Sequence, residues 1–393
     1  MRAVWAAAYL LTRGIALALL VPQIERLADF THYGKALAKA GATGSLFEYP
    51  WLAAEMLELP LRLGTADWPQ YYGALTIFFL FADAAYAIAL WRAGGPSRGF
   101  ILWLLAAPLL GPLIFTRFDG VAAALAGTAL LAAGASRPAT AGVLSMLGAA
   151  IKIWPVFEIP ALLAVAAPEQ RRKLLVALLA TGTFVAGATL LAAGPLRLVS
   201  PFVLQAARGL EVEAIPALPF LWRRLAEPQS ATIEHAACNC DELRASGVPT
   251  ALSAAQVAFW AGVIGFALLY ARVLRAPPGV RTPALGAQLA LLLTLLWIVT
   301  NKVFSPQYMI WAAALMAAWG AVRGPPTLPR MDAALLLAAC ALTQLLYPTH
   351  RAELSGSEPQ AWPLAALTLR NVLLAAMGVR LALQISRETA RHG

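Results

Sequence analysis

Hydrophobic and polar positions fall in long blocks along this chain. Twelve apolar runs stand out, at residues 4–22, 71–91, 99–115, 120–135, 140–151, 155–167, 174–193, 253–274, 283–300, 308–322, 331–347 and 362–385. Short polar segments separate most of them. Most runs reach the ~17–25 residues that a helix needs to span a bilayer. The runs at 140–151 and 155–167 are shorter and meet at Lys152-Ile153-Trp154-Pro155. They predict short or broken helices dipping from one side, tolerated where protein or water satisfies the backbone. The expected fold is all-α: a polytopic bundle of about twelve transmembrane helices, two of them short or broken, in a single domain over 1–393.

Composition narrows the class. Of 393 residues, 60% are hydrophobic and 13% charged, and mean hydropathy is +0.69. A soluble domain is ~45–50% apolar even with Gly counted. An ordinary soluble enzyme, a disordered chain and a disulfide scaffold are excluded. The net charge of +10 is spread between apolar runs and forms no single basic face, which argues against nucleic acid as a partner.

Its distribution gives an orientation. With Arg2 inside, the inner connections hold Arg92 and Arg98, Arg137, Arg171 to Lys173, Arg272, Arg275 and Arg281, Arg323 and Arg330, and Arg387 and Arg391. Dense basic residues in short loops mark the cytoplasmic side. This places both termini in the cytoplasm of a multi-pass plasma-membrane protein. The first run has no small-residue cleavage pattern after it and reads as an uncleaved helix. Two long outer loops remain, 23–70 and 194–249, with residues 57–63 and 203–210 as candidate interfacial amphipathic helices. Cys238 and Cys240 read as a loop thiol pair or a strained disulfide, and no metal site is expected.

Polar residues of less obvious purpose gather at the outer ends of the runs: Asp29, His32, Tyr33, Glu48, Tyr49, Arg117, Asp119, Lys152, Asn301, Lys302, Gln307, Tyr308 and His350. Loops far apart in sequence therefore present acids, bases and amides at one membrane face. A carboxylate such as Asp29 suits a general base acting on a hydroxyl. Arg117, Lys152 and Lys302 are cations at the bilayer edge, where a lipid phosphate would sit. Asp83, Glu158, Arg13 and Arg380 lie inside apolar runs and read as pairs within the bundle or as an ion path. No phosphate-binding G-x-x-x-x-G-K-[ST] loop, H-E-x-x-H or G-x-S-x-G is present.

Five segments carry a family resemblance: Asp29-Phe-Thr-His-Tyr33, Phe47-Glu-Tyr-Pro50, Arg117-Phe-Asp119, Lys152-Ile-Trp-Pro155 and Asn301-Lys-Val-Phe-Ser-Pro-Gln-Tyr308. Their order resembles the polyprenyl-phosphate-dependent membrane glycosyltransferases of the GT-C fold, in particular glycosyltransferase family 87, which includes mannosyltransferases of phosphatidylinositol mannoside synthesis. The chain departs from that pattern at Pro50-Trp51, where such proteins often carry two prolines, and at Phe47, often Tyr. The resemblance implies transfer of a sugar, mannose in the family's best match, from a polyprenyl-phosphate donor to a lipid or glycan hydroxyl, with inversion and no metal or other cofactor. It implies Asp29 as the base and Lys302, Lys152 and Arg117 as phosphate ligands. Tyr33, His32, Glu48, Tyr49, Asp119, Asn301, Gln307, Tyr308 and His350 would then hold sugar or acceptor.

Overall fold

The computed structural model describes residues 2–22, 28–65, 67–236, 239–324, 326–356 and 358–390, without the side chains of residues 2, 28 and 29. In chain order the helices are α1 (Arg2–Leu20), α2 (Ala28–Gly44), α3 (Trp51–Arg62), α4 (Trp68–Gly94), α5 (Arg98–Leu110), the single turn α6 (Leu113–Thr116), α7 (Asp119–Gly134), α8 (Pro138–Ile151), α9 (Glu158–Val165), α10 (Pro168–Ala193), α11 (Leu196–Ala207), α12 (Leu218–Ala226), α13 (Val248–Arg275), α14 (Pro283–Thr300), α15 (Tyr308–Ala321), α16 (Arg330–Gln344), α17 (Arg351–Ser355) and α18 (Ala361–Ala390). Every apolar run of the sequence is helical. The chain is 80% helical, and seven helices among the described residues are long and apolar enough to cross a membrane.

Two expectations need correction. More than two of the runs are short: α5, α7, α8, α9 and α15 are all under 18 residues. The reason is where they sit. All of α15 except Gly320 is buried, whereas α13, at 28 residues, buries only Leu269 and Val273. Short helices fill the centre, and long ones such as α10 and α13 turn apolar side chains outward. A helix enclosed by protein has no lipid to match and escapes the length rule. The centre is also tight. A Cβ on Gly99 of α5 would fall 1.9 Å from the carbonyl oxygen of Ala317 on α15, so only glycine lets these backbones touch.

The long loops are the second correction. Residues 23–70 contain α2 and α3, and α3 buries Ala53, Ala54, Leu57 and Pro60 instead of lying free at the surface. The amphipathic helix of the other loop is α11, starting at residue 196 and ending at 207, not spanning 203–210. Beyond it the all-α expectation fails locally. Strands β1 (Leu210–Glu211), β2 (Ala231–Ala236) and β3 (Cys240–Ala245) form an antiparallel sheet in the order β1-β3-β2. Cys240 is disulfide-bonded and Cys340 is free and buried; Cys238 lies outside the described residues.

Candidate functional site

The start of α7, the end of α8, the end of α14, the start of α15 and the end of α16 meet at one end of the bundle. Asp119 stands in the first turn of α7, where a carboxylate suits the positive end of the helix, and is fully buried. Its Oδ1 accepts from Trp311 Nε1 of α15 at 2.8 Å. Lys152, just past α8, approaches Asp119 at 3.3 Å, a long contact for an ion pair in a buried place. The ammonium lies 4.6 Å from the Phe118 ring centre and 5.1 Å from that of Tyr49. Aromatic faces hold this cation as much as the carboxylate does.

The aromatic layer extends on both sides. Tyr33 of α2 meets Tyr49 and Phe118 edge to face at 6.0 Å. Tyr308 stacks on Trp311 at 3.9 Å, and Trp311 on Trp154 at 5.0 Å. Beside them, Arg117 donates to the Tyr347 hydroxyl at 2.9 Å. Arg351 lies over the same ring and pairs with Asp241 of β3 at 2.8 Å. Burial alone would raise the Asp241 carboxyl, but the charge of Arg351 and the His235 hydrogen bond hold it below its ordinary value.

The structure thus brings together Tyr33, Tyr49, Arg117, Asp119, Lys152 and Tyr308, which lie up to 275 residues apart. His32 and Glu48 form a pair at 3.1 Å next to Tyr33. Burial pushes the Glu48 carboxyl up, while the His32 hydrogen bond, a backbone N–H and the charges of His32 and Arg197 outweigh it and leave the group below its usual value. Gln307 is buried with its side-chain oxygen unpartnered among the described residues.

Three predicted residues sit elsewhere. Lys302 turns its ammonium to the carbonyl oxygens of Ala206 and Arg208 at the end of α11. The Asn301 side chain accepts from Val303 N at 2.9 Å and shapes its own turn. His350 pairs with Glu353 at 2.9 Å and packs edge to face on Trp362. Asp29 lies in the first turn of α2, the helix that delivers Tyr33; its side chain is outside the described residues.

Sequence reasoning missed Arg208 and Glu211. Glu211, on β1, accepts from Ser305 Oγ at 3.1 Å and faces Arg208 at 3.6 Å. Burial pushes its carboxyl up. The strand is fixed there because Glu211 N donates to Lys302 O and Val212 N to Asp241 O. A proline-rich loop without apolar period gave no sign of this strand. A small cavity of about 20 Å³ opens between Glu211, Asp241 and Arg351.

The intramembrane charges are paired. Asp83 receives four hydrogen bonds, two from Arg13 and one each from Tyr9 and Trp103, all at 2.7–2.8 Å. Arg380 pairs with Asp332 at 2.8 Å, and Gln384 donates to the same carboxylate. Glu158 differs: it is buried with neither carboxylate oxygen hydrogen-bonded among the described residues.

No family model, curated protein or solved structure matches the chain.

Proposed function

We propose that this protein is an integral membrane glycosyltransferase of GT-C type, moving a sugar, mannose by the family resemblance, from a polyprenyl-phosphate donor to a lipid or glycan hydroxyl. One observation carries the reading: segments around residues 33, 49, 117, 152 and 308 build a single cationic, aromatic-walled site at one end of an apolar bundle. The chain passes twelve times between its two ends in this reading, with the site on the extracytoplasmic side of the plasma membrane.

In that reaction Asp29 removes the proton from the acceptor hydroxyl. The acceptor oxygen bonds to the anomeric carbon as the bond from that carbon to the phosphate oxygen breaks, inverting the centre. The phosphodiester leaves as a lipid phosphate monoester carrying the additional charge. Lys152 and Arg117 receive it. Fixed cations in a site with little water stabilise developing charge by several kcal/mol. Stacked aromatics such as Tyr308 and Trp311 offer flat faces for a sugar ring. The pairing of Arg13, Asp83, Arg380 and Asp332 removes most of the charges that a transport path through the bundle would use.

The test is Asp29→Asn, assayed in membranes with polyprenyl-phosphate-mannose and a lipid-extract acceptor. Wild type should form a labelled product. The variant should lose roughly 10²–10⁴-fold in rate while keeping its elution profile. Undiminished transfer by folded Asp29→Asn would remove Asp29 as the base; no transfer by wild type with any polyprenyl-phosphate sugar would remove the reaction class.

A further inference from the structure

The segment between α10 and β1 does something that neither its sequence nor the site above accounts for. Helix α10 is long and apolar enough to cross a membrane, and the chain turns at Gly194, with φ +80°, straight into α11. Twelve residues of α11 reach about 18 Å, too short to cross. Leu196, Val199, Phe202 and Val203 form one stripe on it, each 50–64% exposed. The opposite face is fixed to the protein: Arg197 donates to Ser45 O at 2.7 Å and Ser200 to Phe47 O at 2.8 Å. A helix leashed to a spanning helix, apolar outward and polar inward, lies in the membrane interface.

The C-terminus of α11 points into the site. Free carbonyls there would carry partial negative charge and repel an anion. Lys302 donates to two of them, those of Ala206 and Arg208, and cancels that field. Arg208 itself is left under-used. Its nearest acid, Glu211, is at 3.6 Å, its hydrogen bond to Gln205 is long at 3.5 Å, and its Nε is buried with no partner among the described residues. Its charge is felt at both Lys152 and Tyr308, so it belongs to the same cluster. Arg117, Lys152 and Arg208 then face only Asp119 and Glu211, and the excess is positive.

We propose that α11 is a membrane-seated arm that presents Arg208 to the phosphate of a lipid phosphate, whose chain runs along the apolar stripe of the arm. The proposal rests on the reading above for the identity of that lipid as the donor. Arriving phosphate replaces Glu211 and Gln205 as the partner of the guanidinium, whose planar fork suits two phosphate oxygens. Lys302 acts at one remove, as a positioning residue that keeps the end of the arm electrically acceptable to an anion.

The probe is a long-chain polyprenyl monophosphate, titrated against purified full-length protein in nanodiscs and read by tryptophan fluorescence. Phosphatidic acid and inorganic phosphate run as parallel arms. Wild type should bind the polyprenyl phosphate, and bind inorganic phosphate far more weakly because no chain seats on α11. Arg208→Gln should weaken binding at least tenfold; Arg208→Lys, which keeps the charge and loses the fork, should recover part of it. Equal binding of phosphatidic acid would keep the lipid-phosphate site and assign it to a phospholipid headgroup instead of the donor. Unchanged binding by folded Arg208→Gln, with binding lost in Lys152→Met, would overturn the role of Arg208 and leave the transferase reading standing. Lipid-phosphate binding through Arg208 without sugar transfer would do the reverse. No binding of any lipid phosphate by wild type would overturn both.

Discussion

Two charged clusters sit within this apolar bundle and use similar side chains to opposite ends. Around Asp83, one Arg, one Tyr and one Trp fill all the accepting positions of one carboxylate at 2.7–2.8 Å, and cation and anion balance. Around Asp119, one short bond from Trp311 is joined by a Lys at 3.3 Å, with Arg117 and Arg208 adding charge that no nearby acid fully answers. A buried cluster whose demands are met internally holds helices together. One with surplus charge and long contacts has capacity for something from outside. The difference separates structure from site more sharply than residue type or depth does.

The largest expected effect comes from breaking the open cluster. Lys152→Met should reduce sugar transfer by roughly 10²–10³-fold, the cost of removing one fixed charge-stabilising group. Thermal midpoint should barely move, because the ammonium is only loosely engaged in the resting protein. Breaking the closed cluster should give the converse. Arg13→Met leaves the Asp83 carboxylate buried without its cation, at a cost of about 3–5 kcal/mol. Yield of folded protein and thermal midpoint should fall, while transfer per folded molecule stays near wild type. If Arg13→Met lowered specific activity as much as Lys152→Met, the division between the two clusters would collapse.

A smaller effect sharpens the comparison at its edge. The Glu48 carboxyl lies below its ordinary value in the folded protein, despite burial, because His32 and Arg197 favour its charged form. That stabilisation is present above the unfolded carboxyl value of about 4.3 and is lost as pH falls through the lower folded value. The stability difference between wild type and Glu48→Gln should therefore shrink as pH drops from 7 towards 3. A difference that grew with acidification would mean that the His32–Glu48 contact is not an ion pair.

The helices were legible in the sequence because apolar runs in a membrane protein are long and uninterrupted. So was the gathering of polar residues at one end, since Arg117, Asp119, Lys152 and Tyr308 each stand at a helix terminus. What stayed hidden depends on contacts between distant segments. Lys302 looked equivalent to Lys152, but only the fold shows α11 ending against it. Arg208 and Glu211 lie in a proline-rich loop, and their position follows from a two-residue strand held by β3 and the 302 turn. Helix length was misread for a related reason: the bilayer sets it for exposed helices, and α15 is enclosed by its neighbours.

The brevity of those inner helices sets the depth at which chemistry would take place. Along its axis α15 measures about 21 Å, against about 39 Å for α10. The hydrocarbon core is ~30 Å thick. Residues at the tip of α15 therefore stand at the floor of a shaft sunk below the plane of the headgroups, with taller helices as its wall. A reactant whose anchor already holds it in that leaflet needs only to slide sideways to reach the floor. A free, hydrated polymer would have to lower one end down the shaft and shed its water on the way. By geometry alone, the protein prefers partners that arrive through the membrane.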